Sequence, residues 1–243
     1  MTDKTYKILE NTPLTSDVYK MILEGDTSAI KAAGQFVNIK LTAKFLRRPI
    51  SICDWNDTTI TIIYKVVGEG TDQMSKMEVG DTLEVLVGLG NGYNLEKSGD
   101  KPVLLGGGVG VPPLYGLAKL LRKQNKEVTV ILGFNTASEI FYKNEFEALG
   151  AKVFVTTVDG SMGVQGFATK CLEGLDYTYY YTCGPKPMLK AVYDAANTAG
   201  QLSFEERMGC GFGACMGCTC KTKSGNKRIC KEGPVLESED VIW

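Results

Sequence analysis

The apolar positions of this chain change period about a hundred residues in. Before that point, short runs alternate apolar with polar residues or are rich in β-branched ones: Tyr6–Glu10, Val18–Leu23, Phe36–Leu41, Ile50–Cys53, Thr59–Val67 and Thr82–Val87. Period two marks strands with one buried face. Turn signals separate the runs at Gly25, Gly34, Asn56-Asp57, Gly68-Glu69-Gly70 and Gly80-Asp81. Short strands at this spacing predict a small antiparallel β-barrel. The residues from Ser75 predict no more than one helical turn, and 91–94 with 97–100 read as a linker.

After the linker, apolar runs alternate with helical periodicity. Pro102–Leu105 is a buried-type strand that runs into Gly106-Gly107-Gly108-Val109-Gly110. Leu114, Leu117, Ala118 and Leu121 then recur at helical spacing, behind Pro112 and Pro113, which suit a first turn. Strands are predicted at Val128–Leu132, Val153–Val158 and Tyr177–Thr182, and helices at Lys143–Leu149, Gly166–Gly174 and Lys186–Thr198. Alternating strands and helices predict an α/β, doubly wound parallel sheet. The fold class is therefore multidomain: a barrel over 1–98, the α/β sheet over 99–202, and a small cysteine-rich segment over 203–243. That last segment is too short to fold on apolar burial alone, so a metal cluster would have to supply stability.

Composition narrows the chemistry. The 243 residues carry a formal net charge of −1, which gives no basis for a nucleic-acid or anionic-membrane partner. No apolar run reaches membrane-spanning length. The eight cysteines, with no export signal in the polar N-terminus, point to a reducing compartment. There is no histidine. A Ser-His-Asp triad, imidazole metal ligation and a Rieske centre are all excluded, whereas electron and hydride transfer through bound cofactors is not.

Cys210, Cys215, Cys218 and Cys230 give C-x4-C-x2-C-x11-C. The opening spacing is that of plant-type [2Fe–2S] ligands. A structural zinc site is the competing reading, weakened because only Cys215 and Cys218 form a tight pair. Cys220 lies outside the pattern, and Cys53 and Cys171 read as core residues. The Gly106–Gly110 loop, between a strand and a helix, reads as an anion-binding corner, with a tight βα turn as the alternative, and its spacing is not G-x-G-x-x-G. Cys183-Gly184-Pro185 follows the last parallel strand and should share that sheet edge. Arg48-Pro49-Ile50-Ser51 could fix a guanidinium against a phosphate, or be a solvated basic pair beside a strand. Gly68-Glu69-Gly70 could let backbone approach a ligand, with Thr71 capping a helix whose N-terminus faces a phosphate, or be an ordinary turn.

Together these motifs resemble the ferredoxin–NADP reductase superfamily. With the C-terminal cysteine segment, nearly the whole chain is similar to electron transfer subunits of dihydroorotate dehydrogenase B. The resemblance implies FAD on Arg48, Pro49, Ile50, Ser51, Ile63, Tyr64, Lys65, Gly70 and Thr71, with Arg48 and the Gly70-Thr71 turn on the pyrophosphate. It implies NAD at Gly106, Gly107, Gly108, Gly110, Cys183, Gly184 and Pro185, and a [2Fe–2S] cluster on Cys210, Cys215, Cys218 and Cys230. NAD rather than NADP fits a loop, Gly133–Glu139, without Arg or Lys for a 2′-phosphate. The implied partner is an FMN-containing dihydroorotate dehydrogenase catalytic subunit, in a cytoplasmic heterotetramer of two of each chain. No residue of this chain would be catalytic by itself. The rivals are a hydrogenase-type or ferredoxin-reductase-type subunit and a non-catalytic zinc adaptor.

Overall fold

Alternation along the first strands closes a barrel. The computed structural model describes residues 2–243. Strands β1 (Thr2–Pro13), β2 (Val18–Glu24), β3 (Phe36–Lys40), β4 (Arg48–Trp55) and β5 (Thr59–Lys65) precede helix α1 (Glu69–Ser75) and strand β6 (Thr82–Leu89). The six strands form a closed barrel in the order β1-β2-β5-β4-β3-β6. Tyr6, Ile8, Met21, Leu23, Val37, Ile39, Ile52, Ile60, Ile62, Tyr64, Val85 and Val87 fill it. Closure leaves no free sheet edge. Some outward positions are covered as well. Cys53 and Ile63 join a core shared with the α/β sheet, and Phe36 and Leu86 join another core that includes Cys218 and Cys230.

The α/β unit is built from β7 (Pro102–Gly107), α2 (Pro112–Lys123), β8 (Thr129–Phe134), α3 (Lys143–Ala148), β9 (Lys152–Thr157), β10 (Val164–Gln165), β11 (Tyr179–Cys183), α4 (Lys186–Ala195) and β12 (Gly200–Ser203). Its sheet runs β10-β9-β8-β7-β11-β12-β15, where β15 is Val235–Glu237. The pairs from β10 to β12 are parallel, and β15 pairs antiparallel with β12. The order reverses between β7 and β11, so that is the switch point of the doubly wound sheet. Pro112 and Pro113 begin α2, where no backbone donor is lost.

Four expectations change. The helical turn lies before Ser75, not after it: α1 spans Glu69–Ser75. The stretch from Gly166 to Gly174 is a 3-10 turn, Ala168–Leu172, with positive φ at both glycines bounding it. The linker is partly core, since Tyr93 is buried and packs edge-on to Tyr181 at 5.5 Å. Strand β12 was not anticipated. It is four residues long, and its buried Gln201 bonds the Asn94 N–H at 2.9 Å and Glu237 at 2.7 Å.

The cysteine segment holds the hairpin β13 (Thr219–Thr222) and β14 (Gly225–Arg228), then β15. Asp240 accepts from Ser224 N–H at 2.7 Å and Ser224 Oγ at 2.8 Å, pinning the hairpin turn. The segment is thus sewn into the α/β sheet by β15 and laid on the barrel by its buried cysteines and Ile229.

Candidate functional site

The glycine loop lies at the sheet's switch point. Gly106 stands in register with Cys183 on the neighbouring parallel strand. A Cβ on Gly110 would meet the Cys183 carbonyl oxygen, with the carbonyl carbon at 2.5 Å and Gly184 N at 2.7 Å. A Cβ on Gly107 would meet Met188 Sδ, with Pro185 Cδ at 3.5 Å. Only glycines let the two loops touch by backbone. Gly108 has φ +51° and nothing within 4 Å of its Cβ position, so the loop keeps an open face. Burial pushes the Cys183 thiol up to about 12, so it stays protonated at neutral pH. Met188 lies in the first turn of α4. It packs on the glycine loop.

The barrel brings its motif beside that loop. Arg48 lies on β4 and Gly70 opens α1, and a Cβ on Gly70 would fall 2.6 Å from Arg48 Cζ. Arg47 is committed elsewhere: its guanidinium bonds Asp3 at 2.6 and 3.0 Å and the Asn38 carbonyl at 3.4 Å. Among the described residues Arg48 has one side-chain bond, to the Leu46 carbonyl at 2.6 Å, so its guanidinium keeps donors to spare. Thr71 is the third residue of α1, not its cap. Its hydroxyl accepts from Val67 N–H at 2.9 Å and Gly68 N–H at 3.3 Å and donates to the Gly68 carbonyl at 3.1 Å. The side chain shapes the turn, leaving backbone N–H groups to face an anion. Pro49 and Ser51 occupy outward positions and Ile63 faces the α/β unit, whereas Ile50, paired with Val37, packs against the barrel core, so only its backbone is available on the outside. Tyr64 does not face outward. Its ring fills the barrel and its hydroxyl donates to Asn11 Oδ1 at 2.9 Å, so only its backbone is available on the outside. Lys65 reaches Asp17 at 3.0 Å.

Helix α2 locks the two units together. Gly116 sits against β4, where its Cβ would come 2.9 Å from the Cys53 carbonyl, and Lys119 pairs with Asp54 at 2.8 Å.

The cysteines converge as two pairs. Ala214 N–H and Cys215 N–H point at Cys210 Sγ at 3.3 and 3.4 Å, and Cys230 N–H points at Cys218 Sγ at 3.4 Å. Burial opposes ionisation of Cys210, but the N–H groups of Cys215, Phe212 and Ala214 bring its thiol down to about 6. Burial and the neighbouring Cys218 thiol push Cys230 up to about 12. Among the described residues, no three Cys, Asp or Glu side chains close on one point as single-ion ligands do. Two thiol pairs, each backed by backbone donors, suit two irons with bridging sulfides better than one zinc ion. Gly211 and Gly213 supply the positive φ that the loop requires, at +79° and +90°. Met216, with φ +61°, shares that role without being glycine. Cys218 and Cys230 are buried, whereas Cys215 is exposed. Cys220 is half-buried on β13, outside both pairs. Arg228 braces the loop by donating to the Gly213 carbonyl at 2.7 Å and pairing with Glu232.

The cluster loop rests on the barrel through Asn38 of β3, whose Nδ2 donates to the Cys210 carbonyl at 3.3 Å. A polar residue inside the apolar run Phe36–Ile39 was the available signal for it. Trp243 packs between Tyr193 and Phe204, at 5.6 and 5.9 Å between ring centres.

Comparison with known proteins follows the same division. Residues 205–242 match the iron–sulfur cluster binding domain of dihydroorotate dehydrogenase B, and residues 104–194 match the oxidoreductase NAD-binding domain. A Fusobacterium nucleatum protein named dihydroorotate dehydrogenase B (NAD(+)), electron transfer subunit, is 43% identical over 96% of this chain and 95% of its own. A protein of the same name from Geobacillus sp. is 40% identical over 100% of this chain and 99% of its own. Among solved structures, a chain of the NADH-dependent reduced ferredoxin-NADP oxidoreductase superposes with a TM-score of 0.89 at 28% identity, over 98% of this chain and 90% of that one. Identity of this level over full length, with the cysteine pairs and the glycine loop in place, means that the chain belongs to the family of dihydroorotate dehydrogenase B (NAD(+)) electron transfer subunits.

Proposed function

We propose that this chain is the electron transfer subunit of an NAD-dependent dihydroorotate dehydrogenase. It passes electrons from the FMN of a catalytic partner through its own [2Fe–2S] cluster and FAD to NAD⁺, in pyrimidine biosynthesis. The observation that carries the reading is the spatial order of the sites. The cluster loop rests on β3, Arg48–Ser51 lies on the adjacent β4, and Ile63–Lys65 lies on β5, the next strand in the barrel. The glycine loop of the sheet lies beyond, its 108–110 turn against β5, and α2 behind it packs on β4. That order is the order of a relay.

When bound, FAD supplies the conversion between single electrons and a hydride pair. The chain's residues bind and orient. Cys210 with Cys215, and Cys218 with Cys230, would hold the two irons. Arg48 and the N–H groups of the Gly70-Thr71 turn would hold the FAD pyrophosphate, and Pro49 and Ser51 with the backbone of Ile50 and of Ile63–Lys65 would line the flavin. Gly106, Gly107, Gly108 and Gly110 with Cys183, Gly184 and Pro185 would seat the nicotinamide nucleotide. No general base is needed, which agrees with the absence of histidine and a Cys183 thiol held protonated by burial. The FMN of the partner, an assembly of two copies of each chain and a cytoplasmic setting belong to the same proposal and rest on the family resemblance. No helix among the described residues is long and apolar enough to cross a membrane.

The test is spectroscopic and then enzymatic. Purified chain should show flavin and iron–sulfur absorption and oxidise NADH with an artificial acceptor, but not oxidise dihydroorotate. Co-expression with an FMN-bearing dihydroorotate-oxidising subunit should yield dihydroorotate-dependent NADH formation. A colourless, zinc-loaded protein would end the reading.

A further inference from the structure

Asn38 is a buried amide with half of its hydrogen bonding unmet. It is 1% exposed. Its Nδ2 donates to the carbonyl of Cys210, but Oδ1 has no partner among the described residues. Flipping the amide does not help, because it would turn Oδ1 onto the Cys210 carbonyl and set two acceptors against each other. A buried acceptor left unmet is costly, so an unmet one marks a place where a donor arrives.

The strand pairing says which face that donor comes from. Val37 and Ile39 point into the barrel, so Phe36 and Asn38 point out. Asn38 stands directly across from Pro49, and Phe36 from Ser51. Cross-strand neighbours share a face. The free oxygen therefore lies on the same outer face as Pro49 and Ser51, while the other end of the amide holds the first cluster ligand's backbone. Gly211, next in the cluster loop, lies against the same side chain, its Cβ position 3.2 Å from Asn38 Cγ.

We propose that Asn38 couples the two cofactor sites: its amide N–H fixes the cluster loop, and its carbonyl oxygen accepts from an N–H or O–H donor of FAD bound on β4. This rests on the flavin site proposed above. It makes Asn38 a positioning residue that transmits flavin occupancy to the cluster. By reciprocity, the cluster loop in turn favours flavin binding.

The experiment compares wild type, Asn38→Asp and Asn38→Leu, each purified with its cluster, stripped of FAD and then titrated with FAD. The cluster's electron paramagnetic resonance signal after reduction is recorded with and without FAD, and FAD affinity is read from flavin fluorescence. In wild type, FAD should change the cluster signal. Asn38→Asp keeps an oxygen for the flavin but loses the donor to Cys210, so FAD should bind within about twofold of wild type while the cluster signal no longer responds. Asn38→Leu loses both, so the response should vanish and FAD affinity should fall about tenfold, the equivalent of one hydrogen bond. A cluster signal that responds to FAD in both variants as in wild type overturns the proposal. Should the leucine variant not fold, the aspartate variant decides alone by the same criterion. Wild-type protein that binds no flavin or holds no cluster would instead sink the proposed function, which separates the two failures.

Discussion

Gly110→Ala tests whether the glycine loop and the Cys183 loop act as one backbone-to-backbone seat. The added Cβ would stand 2.5 Å from the Cys183 carbonyl carbon and 2.7 Å from Gly184 N. Carbon atoms need about 3.5 Å, so one loop must retreat by about 1 Å. Both obstacles are backbone, and both strands are central in the sheet, with β7 between β8 and β11 and β11 between β7 and β12. No side-chain rotation can relieve the clash. Overpacking of this kind costs about 1–3 kcal/mol, and an unyielding site falls near 3. Misplacing a cofactor seat by about 1 Å can cost about a hundredfold in rate. The expected outcome is a near hundredfold fall in kcat/KM for NADH with ferricyanide as acceptor, and a lowered melting temperature by flavin fluorescence. Gly68→Ala is the control: its φ of −179° is ordinary extended backbone and nothing lies within 4 Å of its Cβ position. It should change stability by no more than about 0.5 kcal/mol. Wild-type kinetics and melting in Gly110→Ala would refute the argument that the loops must touch.

Other outcomes follow from the same geometry. Arg48→Ala should weaken FAD binding at least about tenfold by equilibrium titration, since a charge-assisted bond is worth roughly 1.5–3 kcal/mol, whereas Arg47→Ala should leave affinity unchanged because Arg47 is spent on Asp3. Cys218→Ser should abolish the cluster's absorption while NADH still bleaches the flavin. Cys220→Ser should keep iron content at wild-type level, and its loss there would show that the ligand set is wrong. Native-state alkylation at mildly alkaline pH should leave Cys53 and Cys183 unmodified, because burial raises both thiols, Cys183 to about 12. Cys183 should react only as pH rises toward that value, and mass spectrometry after alkylation at stepped pH checks it. Removing iron by chelation should raise hydrogen exchange across 206–230 but spare Val235–Glu237, whose ladder to β12 needs no metal.

The sequence by itself determined the order of the units and the chemistry they carry. Period-two alternation from Tyr6 to Val87 is sufficient to specify barrel strands, because an interior face must be apolar whichever strand lies next to it. The spacing Cys210, Cys215, Cys218, Cys230 and the absence of histidine are enough to restrict the chemistry. Local rules did not reach contacts made across long separations. Strand β12 carries Gly200 and Gln201, poor strand formers alone, and exists because β11 and β15 flank it. Thr71 looked like a helix cap and is instead the third residue, with its hydroxyl turned back on Val67 and Gly68. Arg47 and Arg48 are indistinguishable as a sequence pair, and only tertiary packing ties the first to Asp3 and leaves the second beside Gly70. The family resemblance puts Tyr64 among the FAD-binding residues, but strand parity and Asn11 turn its side chain into the barrel. The meeting of Asn38 with Cys210 spans 172 residues. Periodicity is a property of neighbours along the chain, whereas a shared site is a property of neighbours in space, and only the closed barrel and the switch point of the sheet bring those together.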